Sequence, residues 1–368
     1  VTKRVLVCGA GIGGLTAGLR FRQLGWEVLL FEREPEIRTA GAGLNLWPNG
    51  VRILRELGVG EQLASISTSL SRYRTFSSTG EVLDVRDITA WSARFGGVLA
   101  GVYRRDLNRM LADALGRERI HLDHALTGVE ESADRVTCRF SNGRVVHGDV
   151  LIGADGIHSV VRTSLFGERE FSSDGLVRWR GLFDLADTGI DPMAEAEVWG
   201  PDGHFGYLPM GKGRAYWFAA GDGLVDDVEA FFARFGAWAG SPVPDLLRAT
   251  DRPTIIRNAL HDFVKPLKEW CSSRIALLGD AAHPMLPGLA QGANQALADV
   301  SALGRALESG RDVPAALAAY QEERIAAVEP VVRLSRSLFD FGSENLDSEL
   351  GSGNPLFARY ERYVEGVY

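Results

Sequence analysis

Cysteine is scarce. Cys8, Cys138 and Cys271 are far apart and odd in number, which excludes a disulfide framework and points to a reducing, cytoplasmic setting. Their spacing offers no metal site. No apolar run approaches the roughly 18 residues that a membrane span needs. Thr2, Lys3 and Arg4 lead straight into a strand-like run, so no secretory leader is expected. Positive charge is in deficit, with 40 Lys and Arg against 48 Asp and Glu and a net charge of -8, which argues against a nucleic-acid partner. Internal repeats and low-complexity linkers are missing as well. Glycine is abundant, at 43 of 368 residues, as expected where backbone must turn sharply or approach a ligand closely. A chain of this length holds two domains with cores of their own.

Val5-Leu6-Val7-Cys8 reads as a buried strand. Gly9, Gly11 and Gly14 then fit G-x-G-x-x-G, and Leu15 to Leu24 reads as a helix stopped by Gly25. Glu27 to Phe31 is the next strand, ending at Glu32. This βαβ unit of about 30 residues is the size of a nucleotide-binding start. Gly9 permits the turn, Gly11 the approach of a pyrophosphate, and Gly14 close helix–strand packing. The helix N-terminus offers free N–H groups and a positive dipole end, and Glu32 is placed to accept from ribose hydroxyls. Arg33 either lies along an adenine or is a surface arginine.

Two later stretches share this texture. Leu151-Ile152-Gly153-Ala154-Asp155-Gly156 leads to Arg162, and Ala276-Leu277-Leu278-Gly279-Asp280 leads through Pro284 and Pro287 to a helix opening at Gly292 and Ala293. Asp280 is either a polyol-binding carboxylate or a helix N-cap. A cofactor that needs both ends of the chain is an extended one, FAD rather than NAD. The N–H groups of the second helix would face the flavin where reduction places negative charge.

Between these stretches the texture changes. Val177–Phe183, Glu197–Trp199, Gly206–Pro209 and Arg214–Ala220 read as aromatic-rich strands of an antiparallel sheet, with a helix over Asp226–Trp238 on one face. Gly41–Gly50 reads as a Gly/Pro loop before a helix from Val51. The expected fold is α/β: a Rossmann-like FAD-binding domain with an inserted, mainly antiparallel β-sheet substrate domain and C-terminal helices. Residues 1–70, 96–174 and 266–335 form the discontinuous FAD-binding domain, 71–95 and 175–265 the substrate domain, and 336–368 a helical tail after a break at Asn345–Pro355.

Taken together, Gly279-Asp280-Ala281-Ala282-His283-Pro284 with Gln291-Gly292-Ala293-Asn294-Gln295, Asp155-Gly156 with Arg162, Gly41-Ala42-Gly43 with Trp47-Pro48-Asn49-Gly50, and Tyr103-Arg104-Arg105-Asp106-Leu107 resemble the class A FAD-dependent aromatic hydroxylases. The similarity spans residues 1 to about 335 and is nearest the salicylate, 3-hydroxybenzoate and urate hydroxylases. It implies that NADH or NADPH reduces FAD, that dioxygen forms a flavin C4a-hydroperoxide, and that an electron-rich aromatic carbon takes its distal oxygen. It implies FAD contacts from Gly43 and from Arg104, with Arg105 the competing choice. It also implies a small aromatic substrate and a monomer or homodimer. Ala290-Gln291-Gly292 departs from the Gly-Gln-Gly of many relatives, and Ala298-Asp299 from their Glu-Asp.

Ring hydroxylation benefits from a base near a phenol. His204 falls where related sequences place a deprotonating histidine, and its near-neutral titration suits the task; the competing reading is a solvated loop histidine. Tyr216 resembles a substrate-contacting tyrosine, or is packed in the core. Arg178 and Arg180 share a strand face, where they clamp a substrate carboxylate if it lines the pocket, or are surface arginines if it does not. Pro287 and His283 are expected near the flavin, His283 as a proton donor or a structural group. Two rivals remain: an FAD-dependent epoxidase or oxygenase of a larger non-phenolic substrate, and a non-catalytic flavin-binding ligand protector.

Overall fold

The computed structural model of the chain describes residues 2–37, 42–172, 175–186, 188–201, 203–221 and 227–337. Gly41, the break at Asn345–Pro355 and nearly all of the expected tail lie outside the described residues.

Hydrophobic runs with no polar alternation demand burial on both faces, the signature of parallel strands. Arg4–Cys8 meets that demand at the centre of a parallel five-stranded sheet. Glu27–Phe31 and then Ile120–His121 lie on one side, Val150–Gly153 and then Ile275–Leu277 on the other. Both ends of the chain therefore enter one sheet. Helix Ile12–Gln23 begins directly after Gly11, three residues earlier than the apolar pattern suggested, because Gly13 and Gly14 are helical. It packs against helices Gly292–Glu308 and Arg104–Leu115. Helix Val313–Ser337, with Pro330 inside it, lies along Gly292–Glu308.

A second sheet has seven strands, in the order Ile256–Ala259, Val177–Asp184, Arg214–Ala220, Gly203–Met210, Ala194–Gly200, Arg72–Ser77 and Val82–Asp87. All pairings are antiparallel except that of Ala194–Gly200 with Arg72–Ser77. Side chains alternate between faces. The outer face carries Trp179, Phe205, Trp217 and Val198. It packs on Phe231, Phe235, Trp238 and Leu246 from helices Val228–Gly236 and Val243–Ala249. The inner face turns towards the five-stranded part of the molecule.

The stretch expected as a loop from Gly41 to Gly50 is more regular. Gly43–Leu46 is a strand paired with Leu99–Tyr103, which also pairs with Ser67–Leu70. Helix Pro48–Glu56 starts at its proline, a residue pre-set for a first helical turn. This small sheet is the spacer between the two large ones. A Cβ on Gly101 would strike the Pro209 carbonyl, and one on Gly43 would strike the Tyr216 ring.

Candidate active site

The three glycine- and aspartate-bearing turns meet at the C-terminal edge of the parallel sheet, where open α/β sheets bind ligands. Gly9 has φ +104°, and a Cβ there would collide with the Ala154 carbonyl; one on Gly14 would collide with the Gly9 carbonyl. Glycine at both positions is what lets the first and second turns touch. A Cβ on Gly11 meets nothing within 4 Å, so this turn is a cradle with room over its backbone. One carboxylate oxygen of Glu32 accepts from the Ala10 N–H at 2.7 Å and the other from the Glu34 N–H at 3.1 Å. That holds Glu32 at the rim of the cradle. Arg33 is exposed and lies 3.5 Å from Glu34. These features fit the phosphate and ribose of a dinucleotide.

Asp155 is occupied locally. Its carboxylate accepts from Ser159 Oγ at 2.5 Å and from the N–H groups of Val160 at 2.8 Å and Val161 at 3.1 Å, capping helix Val160–Phe166. Burial raises its pKa, and those bonds oppose the rise. Arg162 is buried, donates to the carbonyls of Ile157 and Ala281, and lies over the Phe263 ring at 4.8 Å. It thereby ties the second motif to the third.

In the third motif Asp280 is exposed at the strand end, while the residues around it are locked. Asp299 accepts from the Gly279 N–H at 2.9 Å, sits 2.6 Å from His283 Nε2, and accepts from Arg324 Nε at 2.8 Å. Burial alone would raise its pKa, but His283, Arg324 and the Gly279 bond together hold it below the usual carboxylate value. His283 is therefore a structural ligand of Asp299. Arg324, which closes this group, carried no signal in the sequence because it lies on a helix outside every motif. Pro287, Gly292 and Ala293 are half-buried at the start of helix Gly292–Glu308. Ala290 just before it has φ +51°. Asn294 accepts from the Trp47 N–H at 3.0 Å and donates to the Asn45 carbonyl at 3.1 Å. The Trp-Pro-Asn-Gly segment is thus anchored on this helix.

Facing the cradle across the spacer strand is the inner face of the seven-stranded sheet. It carries an unusual density of buried polar groups: Arg178, Glu195, His204 and Tyr216 are each no more than 9% exposed, with Glu197 and Arg180 half-buried. Arg178 is therefore not a surface arginine. Its guanidinium lies 4.9 Å over the Phe218 ring, Glu197 supplies counter-charge, and burial brings its pKa down to about 9. Arg180 donates to Asn258 Oδ1 at 3.0 Å. Arg178 and Arg180 thus share the inner face, the one beside Glu197 and the other bonded to a neighbouring strand. Arg104 is exposed at the start of its helix and within electrostatic reach of Arg180.

His204 does not titrate near neutrality as expected. It stacks on Trp199 at 4.8 Å, meets the Phe218 edge at 5.5 Å, and is pushed down to about 3 by burial and by Arg178. Its Nε2 is 3.8 Å from Glu197 Oε1, a contact between a neutral ring and a carboxyl group rather than an ion pair. It is likewise not a solvated loop histidine, since it lies within strand Gly203–Met210. Tyr216 packs on Gly43, and burial raises its hydroxyl to about 12, so it stays protonated. Glu195 is raised to about 8 by burial and by Glu197, although a 2.7 Å bond from Asn45 Nδ2 opposes this. Glu195, Glu197 and Asn45 were not singled out in the sequence. The only available signal was two glutamates at alternate positions of a strand otherwise built of Ala, Val and Trp.

Comparison with known proteins agrees with this geometry. A family model described as an FAD binding domain matches residues 2–335. Aurachin C monooxygenase/isomerase of Stigmatella aurantiaca is 35% identical over 344 residues, covering 92% of this chain and 89% of that protein. The FAD-dependent urate hydroxylase of Klebsiella pneumoniae is 33% identical over 352 residues, covering 92% and 90%. The crystal structure of Klebsiella pneumoniae HpxO complexed with FAD and uric acid superimposes with a TM-score of 0.90 at 30% identity, covering 99% of this chain and 95% of that one.

Proposed function

The chain belongs to the FAD-binding-domain family of flavin-dependent monooxygenases, and on that premise we propose that it hydroxylates a small aromatic or heteroaromatic ring held between the flavin and the inner face of the seven-stranded sheet. It is an FAD enzyme. We assign the five-stranded part, residues 1–70, 96–174 and 266–335, to the cofactor, and 71–95 with 175–265 to the substrate. NADH or NADPH is the reductant and dioxygen the oxidant in this reading.

One observation carries it. Three turns from distant parts of the chain converge on one cradle, and the polar inner face stands across a single spacer strand from it. Gly9, Gly11 and Gly14 would take the pyrophosphate, Glu32 the ribose, Asp280 the polyol chain, and the N–H groups at Gly292 and Ala293 the flavin ring, beside Pro287. Asp155 contributes by shaping the turn, since its carboxylate is committed to a helix cap. Gly43 contributes by letting Tyr216 close against the spacer. FAD, when bound, supplies the redox chemistry that lets dioxygen deliver an oxygen atom to a ring.

The side chains of this chain hold the ring and manage its protons. His204, neutral across the physiological range, accepts a hydrogen bond from a ring hydroxyl and makes the ring more electron-rich without trapping a full charge. Tyr216 remains a donor. The aromatic floor of Trp199 and Phe218 excludes water around His204.

The test is a screen of phenols and N-heterocycles for stimulated NAD(P)H oxidation, with product mass measured. A gain of one oxygen atom is expected; stimulated oxidation that yields only peroxide counts against the reading. Asp280→Ala should lose FAD on purification. Full retention would remove Asp280 from the cofactor site.

A further inference from the structure

Two polar tips on the inner face are buried yet incompletely bonded. Glu195 is 6% exposed, and its one hydrogen bond among the described residues is from Asn45 Nδ2 to Oε2. The Tyr216 hydroxyl, on a residue 9% exposed, has no hydrogen bond among the described residues. Neither tip is fully enclosed, so both stay open to the space in front of the face, where a ligand can bond them. The two act on each other: of the charges that shift Tyr216, Glu195 is the foremost. One strand, Gly203–Met210, lies between theirs, so their backbones are roughly 10 Å apart, two inter-strand spacings. Both are fixed by the same spacer strand, Tyr216 by Gly43 and Glu195 by Asn45. That strand is held to the cofactor side through Asn294.

We propose that Glu195 is the specificity-determining residue of this enzyme. Together with Tyr216 it takes the polar edge of an uncharged heteroaromatic ring, a lactam or ring hydroxyl, and it disfavours rings that lack that edge. The inference rests on the monooxygenase reading above. A side chain that donates from one carboxyl oxygen and accepts at the other complements the N–H and C–O of a lactam edge. A ring that lacks this edge leaves both groups without a partner when it binds, which costs affinity.

The experiment titrates the FAD-loaded enzyme with 2-hydroxyquinoline and with quinoline, which lacks the lactam edge, reading affinity from the perturbed flavin spectrum. The native enzyme should bind 2-hydroxyquinoline at least about tenfold more tightly, the discrimination expected of one buried hydrogen-bonding group. Glu195→Leu should weaken 2-hydroxyquinoline binding by about ten- to a hundredfold with FAD content unchanged. Glu195→Gln, which keeps a donor and an acceptor for Asn45, should restore most of that binding, and Tyr216→Phe should weaken the same ligand. Equal affinities for the two ligands, no binding of either, or an unaltered affinity in Glu195→Leu would overturn the proposal. The expected binding pattern with no oxygen added to the ring would instead count against hydroxylation and leave the recognition role standing.

Discussion

Glu195 shows how burial makes a single residue sensitive to pH. Burial and the neighbouring Glu197 push its carboxyl from the ordinary 4.5 up to about 8. A carboxyl with a raised folded pKa binds its proton more tightly when folded, so its contribution is intact below pH 4.5 and is lost as pH rises towards 8. Glu195→Gln has no such proton to lose. In urea titrations the stability of Glu195→Gln relative to the native chain should therefore rise between pH 5 and pH 8. A difference that stays flat over that window would mean Glu195 is ionised throughout. Asp299 behaves in the opposite way, because His283, Arg324 and the Gly279 N–H all favour its charge. Asp299→Asn leaves Arg324 buried without its counter-charge. The expected cost is about 3–5 kcal/mol, the range for breaking a buried pair from one side, measured as a shift in the urea midpoint at constant slope.

At the level of elements, the turn Pro287–Ala290 is the informative one. Ala290 occupies the left-handed region at φ +51°, where many relatives are expected to carry glycine. Ala290→Gly relieves about 1–2 kcal/mol of steric strain but adds freedom to the unfolded chain, so thermal stability should change little. Ala290→Val puts a branched side chain in the same conformation and should destabilise by about 1–3 kcal/mol. Calorimetry of the three proteins distinguishes strain from simple packing. The same turn shows why sequence reading goes only so far. Strands and helices with a clear period were legible: Arg4–Cys8, Glu27–Phe31, Gly292–Glu308 and the aromatic strands of the second sheet all follow their apolar patterns. Gly43–Leu46 was not, since four residues carry too little alternation to separate a strand from a loop. The glycine turns were legible because their chemistry is local. Arg178, Glu195 and His204 were harder because what decides their state is the depth to which a distant sheet buries them.

For the whole molecule, the cradle is built from residues near 10, 155 and 280, so its occupant bears on the complete fold. FAD binding should raise the unfolding free energy by about 2.7 kcal/mol at a free concentration a hundred times its dissociation constant. The increase should be seen equally by far-UV signal and by the fluorescence of a variant in which Trp26, Trp47 and Trp270 are replaced, because Trp179, Trp217 and Trp238, which remain, lie in the second sheet's core. A shift confined to one probe would show that the two sheets unfold independently. Ties such as that of Asn45 to Glu195 across the spacer argue for one transition.

The order of strands in the parallel sheet also governs how the chain is born. Arg4–Cys8 pairs on one side with Glu27–Phe31, which leaves the ribosome almost at once, but on the other with Val150–Gly153. At ordinary rates of synthesis that second edge waits on the order of ten seconds for its partner. Throughout that wait a fully apolar strand presents bare amides and carbonyls to any neighbour. A nascent chain of this design gains from a chaperone, or from slow crowding-free expression, until its middle third has emerged.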